Sequence, residues 1–216
     1  VAATLVIITG GIDLSVGTLM TFTAVMTGVV LTNLGMPLPL GVVTAIAAGA
    51  FCGFCSGSFV AKMKIPPFIA TLGMMLILKG LSLVISGTRP IYFNDTPGFS
   101  QISLGSVIGA VFPALPIPNG VLILFLVAGA AAYVLSRTVL GRYCFALGSN
   151  EEAVRLSGVN TDRWKIAIYT LAGAIVGIGG LLIASRLNSA QPALGLGYEL
   201  EAIAAVVIGG TSLSGG

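Results

Sequence analysis

The chain alternates long apolar runs with short polar interruptions, and the runs approach or reach the length that a bilayer demands. Crossing the hydrocarbon core takes about 20 apolar residues in a helix. Residues 18–33, 40–61, 68–87, 121–135 and 164–185 form such runs, each continuous rather than alternating in polarity. Strands of a transmembrane barrel would alternate, so a barrel is excluded. The pattern predicts an all-α, polytopic transmembrane helical bundle, read as one domain over 1–216 that is incomplete at both ends. Residues 1–10 read as the tail of a further apolar helix, and 198–213 as a last apolar segment running into glycines. Between the spans lie a proline turn at 33–39, a basic turn at 62–67, a long connector at 88–120 and a loop at 188–197. Residues 104–112 of the connector are expected to dip onto the bilayer as a short helix.

Composition explains why lipid is needed. Hydrophobic residues make up 56% of the 216 and charged residues 8%, with a mean hydropathy of +1.06. A soluble domain carries about 25% charged residues, so this chain cannot cover its own surface in water. The net charge of +3 gives no footprint for nucleic acid, and membrane lipid is the implied surroundings. Charge placement is more informative. Lys62 and Lys64 sit in the basic turn, and Arg137, Arg142, Arg155, Arg163 and Lys165 sit in 136–165. Two spans separate these regions, so both fall on one side, and the positive-inside rule makes 62–67 and 136–165 cytoplasmic.

Segment 136–165 is the one long polar island, and within it 150–157 reads as a short helix. Ser149 or Asn150 can cap it, Glu152 stands at capping-box spacing from Ser149, and Glu151 and Glu152 favour the positive end of the dipole. Ala153 is small, and Gly158 suits a left-handed end. A helix this short is marginal alone, so the membrane surface or a partner must hold it.

The two ends echo each other. Gly10-Gly11-Ile12-Asp13-Leu14-Ser15-Val16-Gly17 recurs as Gly209-Gly210-Thr211-Ser212-Leu213-Ser214-Gly215-Gly216, identical at five of eight positions. Paired glycines weaken a helix, and Asp13 is a good cap for a helix that restarts after the break. Broken or re-entrant helices of this kind can line a solute path near the midplane. Gly10, Gly11, Asp13, Ser15, Lys79, Gly209, Gly210 and Ser212 are therefore the candidate translocation residues. The two copies are inverted if the first runs outward and the second inward. Asp13 and Lys79 are the clear intramembrane charges; a helix cap and a snorkelling lysine are the plain alternatives. Glu199 and Glu201 read as partners of a first turn.

Enzyme chemistry finds little support. There is no histidine and no Gly-Lys dipeptide, so a P-loop is absent and no nucleotide is cradled in that way. Cys52, Cys55 and Cys144 offer no disulfide framework; Cys52-x-x-Cys55 lies in an apolar helix and reads as packing. No metal, cofactor or catalytic residue is assigned.

Taken with Thr71-Leu72-Gly73, Arg89-Pro90-Ile91, 146–153 with Ser157-Gly158, and 207–216, the motif at 10–17 resembles the permease subunits of bacterial ABC importers for ribose, xylose and related monosaccharides. The resemblance runs through essentially the whole chain. It implies a multi-pass inner-membrane protein that forms a sugar path and presents a coupling helix to a separate ABC ATPase subunit. That helix has a Glu-Ala-Ala-x-x-x-Gly pattern in the family; here Glu152 to Gly158 keeps the spacing, with Val154 at the second alanine. Ser149, Asn150, Glu151, Glu152, Ala153 and Gly158 are the implied contacts. An extracytoplasmic sugar-binding protein and a second permease chain complete the implied partners, with 88–120 and 188–197 facing the binding protein. The alternative is a gradient-driven secondary transporter of a small polar solute.

Overall fold

The computed structural model describes residues 1–216. Five helices are long and apolar enough to cross a membrane: Val16–Asn33, Leu38–Ala61, Pro67–Ile85, Asn119–Arg137 and Thr161–Leu187. In chain order the helices are α1 (Ala2–Ile8), α2 (Val16–Gly28, prolonged by a π turn over Val29–Asn33), α3 (Leu38–Ala61), α4 (Pro67–Ile85), α5 (Gln101–Leu104) and α6 (Val107–Val111). They continue with α7 (Asn119–Arg137), α8 (Val139–Leu156), α9 (Thr161–Leu187) and α10 (Tyr198–Ile208). Proline sets the start of α3 and of α4, where its missing N–H costs nothing. The all-α bundle and its spans follow the apolar pattern closely.

Helices α3 and α9 form the central seam, and small residues make it possible. Gly49, Gly53 and Gly57 recur on one face of α3 and meet Tyr169, Gly173 and Gly177 of α9. A methyl on Gly53 would overlap the Tyr169 carbonyl, and one on Gly173 would overlap the Gly49 carbonyl. Lipid tails compete with side chains for apolar contact, so helix association in a bilayer depends on this close approach. Helix α2 lies on the same flank of α9, where Gly180 faces Met20 O and Thr23 Oγ1. Leu19, Phe22, Cys52, Met74, Tyr169 and Val176 fill the space between these helices. Cys52 is thus a small core residue. By contrast α7 buries no residue and packs chiefly against α5 and α8. Phe125 and Leu126 are 69% and 72% exposed, which suits a lipid-facing helix.

The connector is built rather than loose. Strand β1 (Ile91–Tyr92) pairs antiparallel with β2 (Ser189–Ala190), Ile91 opposite Ala190. Phe93 and Phe99 are buried and stack with centroids 3.9 Å apart. The buried Ser185 hydroxyl donates to Phe99 O at 2.7 Å and accepts from Ser103 N at 3.0 Å. Within the range 104–112, where a short helix is expected, lies α6 (Val107–Val111), and Gly105 separates it from α5.

At the opposite end Lys64 Nζ donates to Asp162 Oδ1 at 2.6 Å, joining the basic turn to the polar island. Both regions therefore lie at one end of the bundle, as the parity of the spans requires.

Candidate functional site

The polar island divides into two parts. Its first half, from Val139 to Ser149, was expected in water, yet it is the body of α8. Gly141, Cys144 and Leu147 are buried at a spacing of three, and Cys144 and Leu147 pack with Leu5, Ile8 and Ile168. Thr138 Oγ1 accepts from Gly141 N at 3.3 Å and starts the helix. Burial pushes the Cys144 thiol up to about 11, so it stays protonated at neutral pH.

The second half is a separate rod. Asn150 leaves helical geometry (φ −160°, ψ 94°), and its Oδ1 accepts from Ala153 N at 2.9 Å. Asn150 is the cap; Ser149 belongs to the preceding turn, and the capping box expected from Ser149 and Glu152 does not form. One residue can take the extended cap geometry, and Asn150 has it. Gly158 ends the rod at φ +85°, with its N–H donating to Arg155 O at 3.1 Å. Lys165 Nζ, only 17% exposed, donates to Glu151 Oε2 at 2.6 Å and ties the first turn to α9. Val154 points inward onto the cluster around Leu5 and Cys144. Glu152 and Ala153 are exposed, and Leu156 is 81% exposed at the same end as the charged turn. The valine that departs from the Glu-Ala-Ala pattern therefore sits on the anchored face, away from the displayed one.

The first glycine break begins near this same end and runs up to Gly17, where a methyl would overlap the Gly195 carbonyl and stand 2.6 Å from Glu199 Oε2. Thr71 Oγ1 accepts from Leu14 N at 3.1 Å and donates to Pro67 O at 2.9 Å within its own helix. Thr71 is four residues into α4, about 6 Å along its axis. Asp13 is buried, and its Oδ1 accepts from Ser15 N at 2.8 Å and Ser15 Oγ at 2.6 Å, closing the turn before α2. The second copy lies beside the first. Val206 packs on Ala3 and Ile7, and Gly216 N donates to Ile8 O at 3.0 Å. Helices α1 and α10 thus run side by side with their C-terminal ends together, so the two copies point the same way and are not inverted. Gly10 and Gly210 are left-handed turns at φ +76° and +94°, and Ser212 Oγ and Ser214 Oγ bond at 2.7 Å. Gly11 and Gly209 close the two helix ends, Gly11 N donating to Val6 O at 3.2 Å and Gly209 N to Ala205 O at 3.0 Å.

Lys79 lies beside the start of α2, beyond Gly17, rather than with Gly10–Ser15. It is half-buried, makes no ion pair, and lines a small polar crevice with Thr18, Thr21 and Ser82 beneath Pro192–Leu196. Glu199 is buried in the first turn of α10, where its carboxylate accepts from Gly197 N at 3.2 Å; Glu201 is exposed. The structure brings Gly10, Gly11, Asp13 and Ser15 beside the segment holding Gly209, Gly210 and Ser212, and places Lys79 next to Thr18 and Thr21 instead.

Tyr169 was overlooked. Its hydroxyl is buried with no hydrogen-bond partner and faces the break, where a methyl on Gly11 would stand 2.7 Å away. An orphaned buried hydroxyl costs its desolvation and returns nothing. Tyr169→Phe is expected to hold or raise stability, by up to about 1 kcal/mol. Thermal unfolding in detergent reads this; a lower midpoint would show that the hydroxyl has found a partner.

The whole chain, residues 1–216, matches the family model described as "Branched-chain amino acid transport system / permease component". It is similar to the ribose import permease protein RbsC of Escherichia coli (strain K12), 43% identical over 219 residues, covering 100% of this chain and 66% of that protein. The fructose import permease protein FrcC of Rhizobium meliloti is 41% identical over 223 residues, covering 100% of this chain and 60% of its own length. The xylose transport system permease protein XylH of Escherichia coli (strain K12) is 33% identical over 264 residues, covering 98% and 67%. The chain thus spans just under two thirds of the ribose relative's length. No solved structure matches it.

Proposed function

Since this chain belongs to the family of branched-chain amino acid transport system permease components, we propose that it forms the membrane path of an ATP-driven importer whose cargo is a monosaccharide. The names of the ribose, fructose and xylose relatives support the cargo class. The rod at 150–157 carries the reading. It is capped by Asn150, fastened by Glu151 and Val154, and it holds Glu152, Ala153 and Leu156 outward. Leu156, 81% exposed beside Glu152 and Ala153 on a fixed helix, offers an apolar contact flanked by charge, and a separate ABC ATPase subunit is the partner that takes it. A rod with both ends terminated transmits displacement that a loose loop would absorb.

On this reading the end holding 62–67 and 136–165 is cytoplasmic, in accord with its cations. The opposite end, with the braced connector at 88–120 and the loop at 188–197, receives an extracytoplasmic sugar-binding protein. A second permease chain completes the path, and the breaks at 10–17 and 209–216 shape its inner mouth. ATP is hydrolysed on the partner; this chain has a transport role.

A cysteine placed at Glu152 or Ala153 is expected to crosslink to the ATPase subunit in membranes. Uptake into vesicles is expected to require both ATP and the binding protein. Uptake driven by an ion gradient alone, with no ATPase captured from either position, would overturn the proposal in favour of a secondary transporter.

A further inference from the structure

Three stretches of backbone meet beside the rod with no side chain between them. The first is the end of α1, the second is the glycine turn after α10, and the third is the last turn of α8 before Asn150. Gly216 N donates to Ile8 O at 3.0 Å. A methyl on Gly148 would overlap that same Ile8 oxygen and stand 2.6 Å from Gly216 N. A methyl on Gly215 would stand 2.8 Å from Gly148 O and 3.0 Å from Gly10 N. Gly148, two residues before the rod begins, thus touches the end of α1 just ahead of the first copy of the motif and the closing glycines of the second copy, of which Gly215 in turn meets Gly10.

We propose that Gly148 is a positioning residue, the bearing through which movement of the rod reaches both glycine breaks at once. The inference rests on the reading of the rod as the ATPase contact and goes beyond it to the route inward. Physical reasons favour this contact over a side-chain one. Interposed side chains change rotamer and absorb small displacements, whereas backbone pressed on backbone has no such slack. Leu147 and Cys144 are buried, so the turn carrying Gly148 moves as one piece with the core around Ile8. On the receiving side Gly10 and Gly215 both sit at left-handed φ, +76° and +89°, a conformation glycine can leave cheaply. Because Ile8 ends α1 and Gly215 and Gly216 close the segment that follows α10, one push reaches both.

The test uses the full-length permease with its ATPase and binding protein in vesicles. Gly148→Ala is expected to lower ATP-driven uptake about tenfold, the size of an ordinary coupling loss. It should abolish stimulation of ATP hydrolysis by loaded binding protein while the crosslink from residue 152 persists. Gly80→Ala, where a methyl meets nothing within 4 Å, should leave all three readouts unchanged. A reversible lock reads the same contact without crowding it. A methyl on Gly216 would lie 4.0 Å from Ser149 Cα, so a Ser149→Cys, Gly216→Cys pair can be closed and reopened, the reduced pair serving as the control for a side chain at φ +95°. Uptake should stop on oxidation and return on reduction. Full uptake by Gly148→Ala or by the oxidised pair, with the crosslink intact, refutes the bearing and leaves the rod's docking standing. Loss of the crosslink in the unmodified protein strikes the docking itself, and the bearing with it.

Discussion

Gly53→Val is expected to open the seam between α3 and α9 and to cost the protein a large share of its stability. The first added carbon already falls inside the Tyr169 carbonyl, and it stands 3.0 Å from Tyr169 C and 3.2 Å from Gly173 Cα. These are backbone atoms, so no rotamer change makes room. The helices must part or α3 must shift along its axis. Either movement unseats Gly49 from Gly173 and Gly57 from the Tyr169 side chain, since all three contacts share one face. Overpacking a core costs roughly 1–3 kcal/mol when flexible side chains can yield, and more when they cannot. Against a total stability on the order of 5–15 kcal/mol, a loss above the overpacking range is a large share of what keeps the protein folded and lowers its yield. Gly80→Val supplies the comparison, because a methyl there meets nothing within 4 Å and the loss of helix-breaking glycine is the same. Membrane yield and unfolding midpoint in detergent should fall for Gly53→Val alone. Equal midpoints for the two variants would show that the seam is not held by backbone approach.

That seam was written in the sequence as glycines four apart, Gly49-x-x-x-Gly53-x-x-x-Gly57 and Gly173-x-x-x-Gly177, a spacing that puts them on one face of each helix. The spans themselves were legible because a bilayer imposes one length on every apolar run. The rod was legible for a local reason: cap, acids and terminal glycine are read within nine residues. Choosing Asn150 over Ser149 was not, because both residue types cap well and only the path of the chain distinguishes them. The body of α8 was hidden by Arg142 and by Arg137 just before it, whose charges made a half-buried helix look solvated; Gly141, Cys144 and Leu147, three apart, carried the contrary signal. Lys79 was grouped with Asp13 because both are charged in apolar runs, but a run of residues says nothing about which helix turns toward which. The meeting of Gly10, Gly148 and Gly215 is wholly non-local. Each contributes only a missing side chain, and nothing in a single chain marks which glycines will share a point.

Leu156→Asp is expected to leave the fold intact and to stop transport. The side chain is 81% exposed, so its removal from the free permease changes stability by no more than about 0.5 kcal/mol. Its neighbours explain the selectivity of the effect. Val154 and Glu151 hold the rod from the inner face, and neither contact involves residue 156. An aspartate at that position instead places a carboxylate near the C-terminal, negative end of the rod's dipole and beside whatever apolar pocket the partner offers. Burying an unpaired carboxylate in such a pocket costs several kcal/mol, so affinity should fall by about a hundredfold or more. Uptake and capture of the ATPase from residue 152 should therefore fail together, while expression and unfolding midpoint stay at their original values. Leu156→Met, which keeps an apolar side chain of similar volume, should restore both activities. The inner face gives the opposite result. Val154→Ala should lower the unfolding midpoint through lost packing against Leu5 and Cys144, while capture by the ATPase persists whenever the rod remains folded. If Leu156→Asp transported normally, the displayed face would be idle and the rod's anchored geometry would have to serve the membrane surface instead.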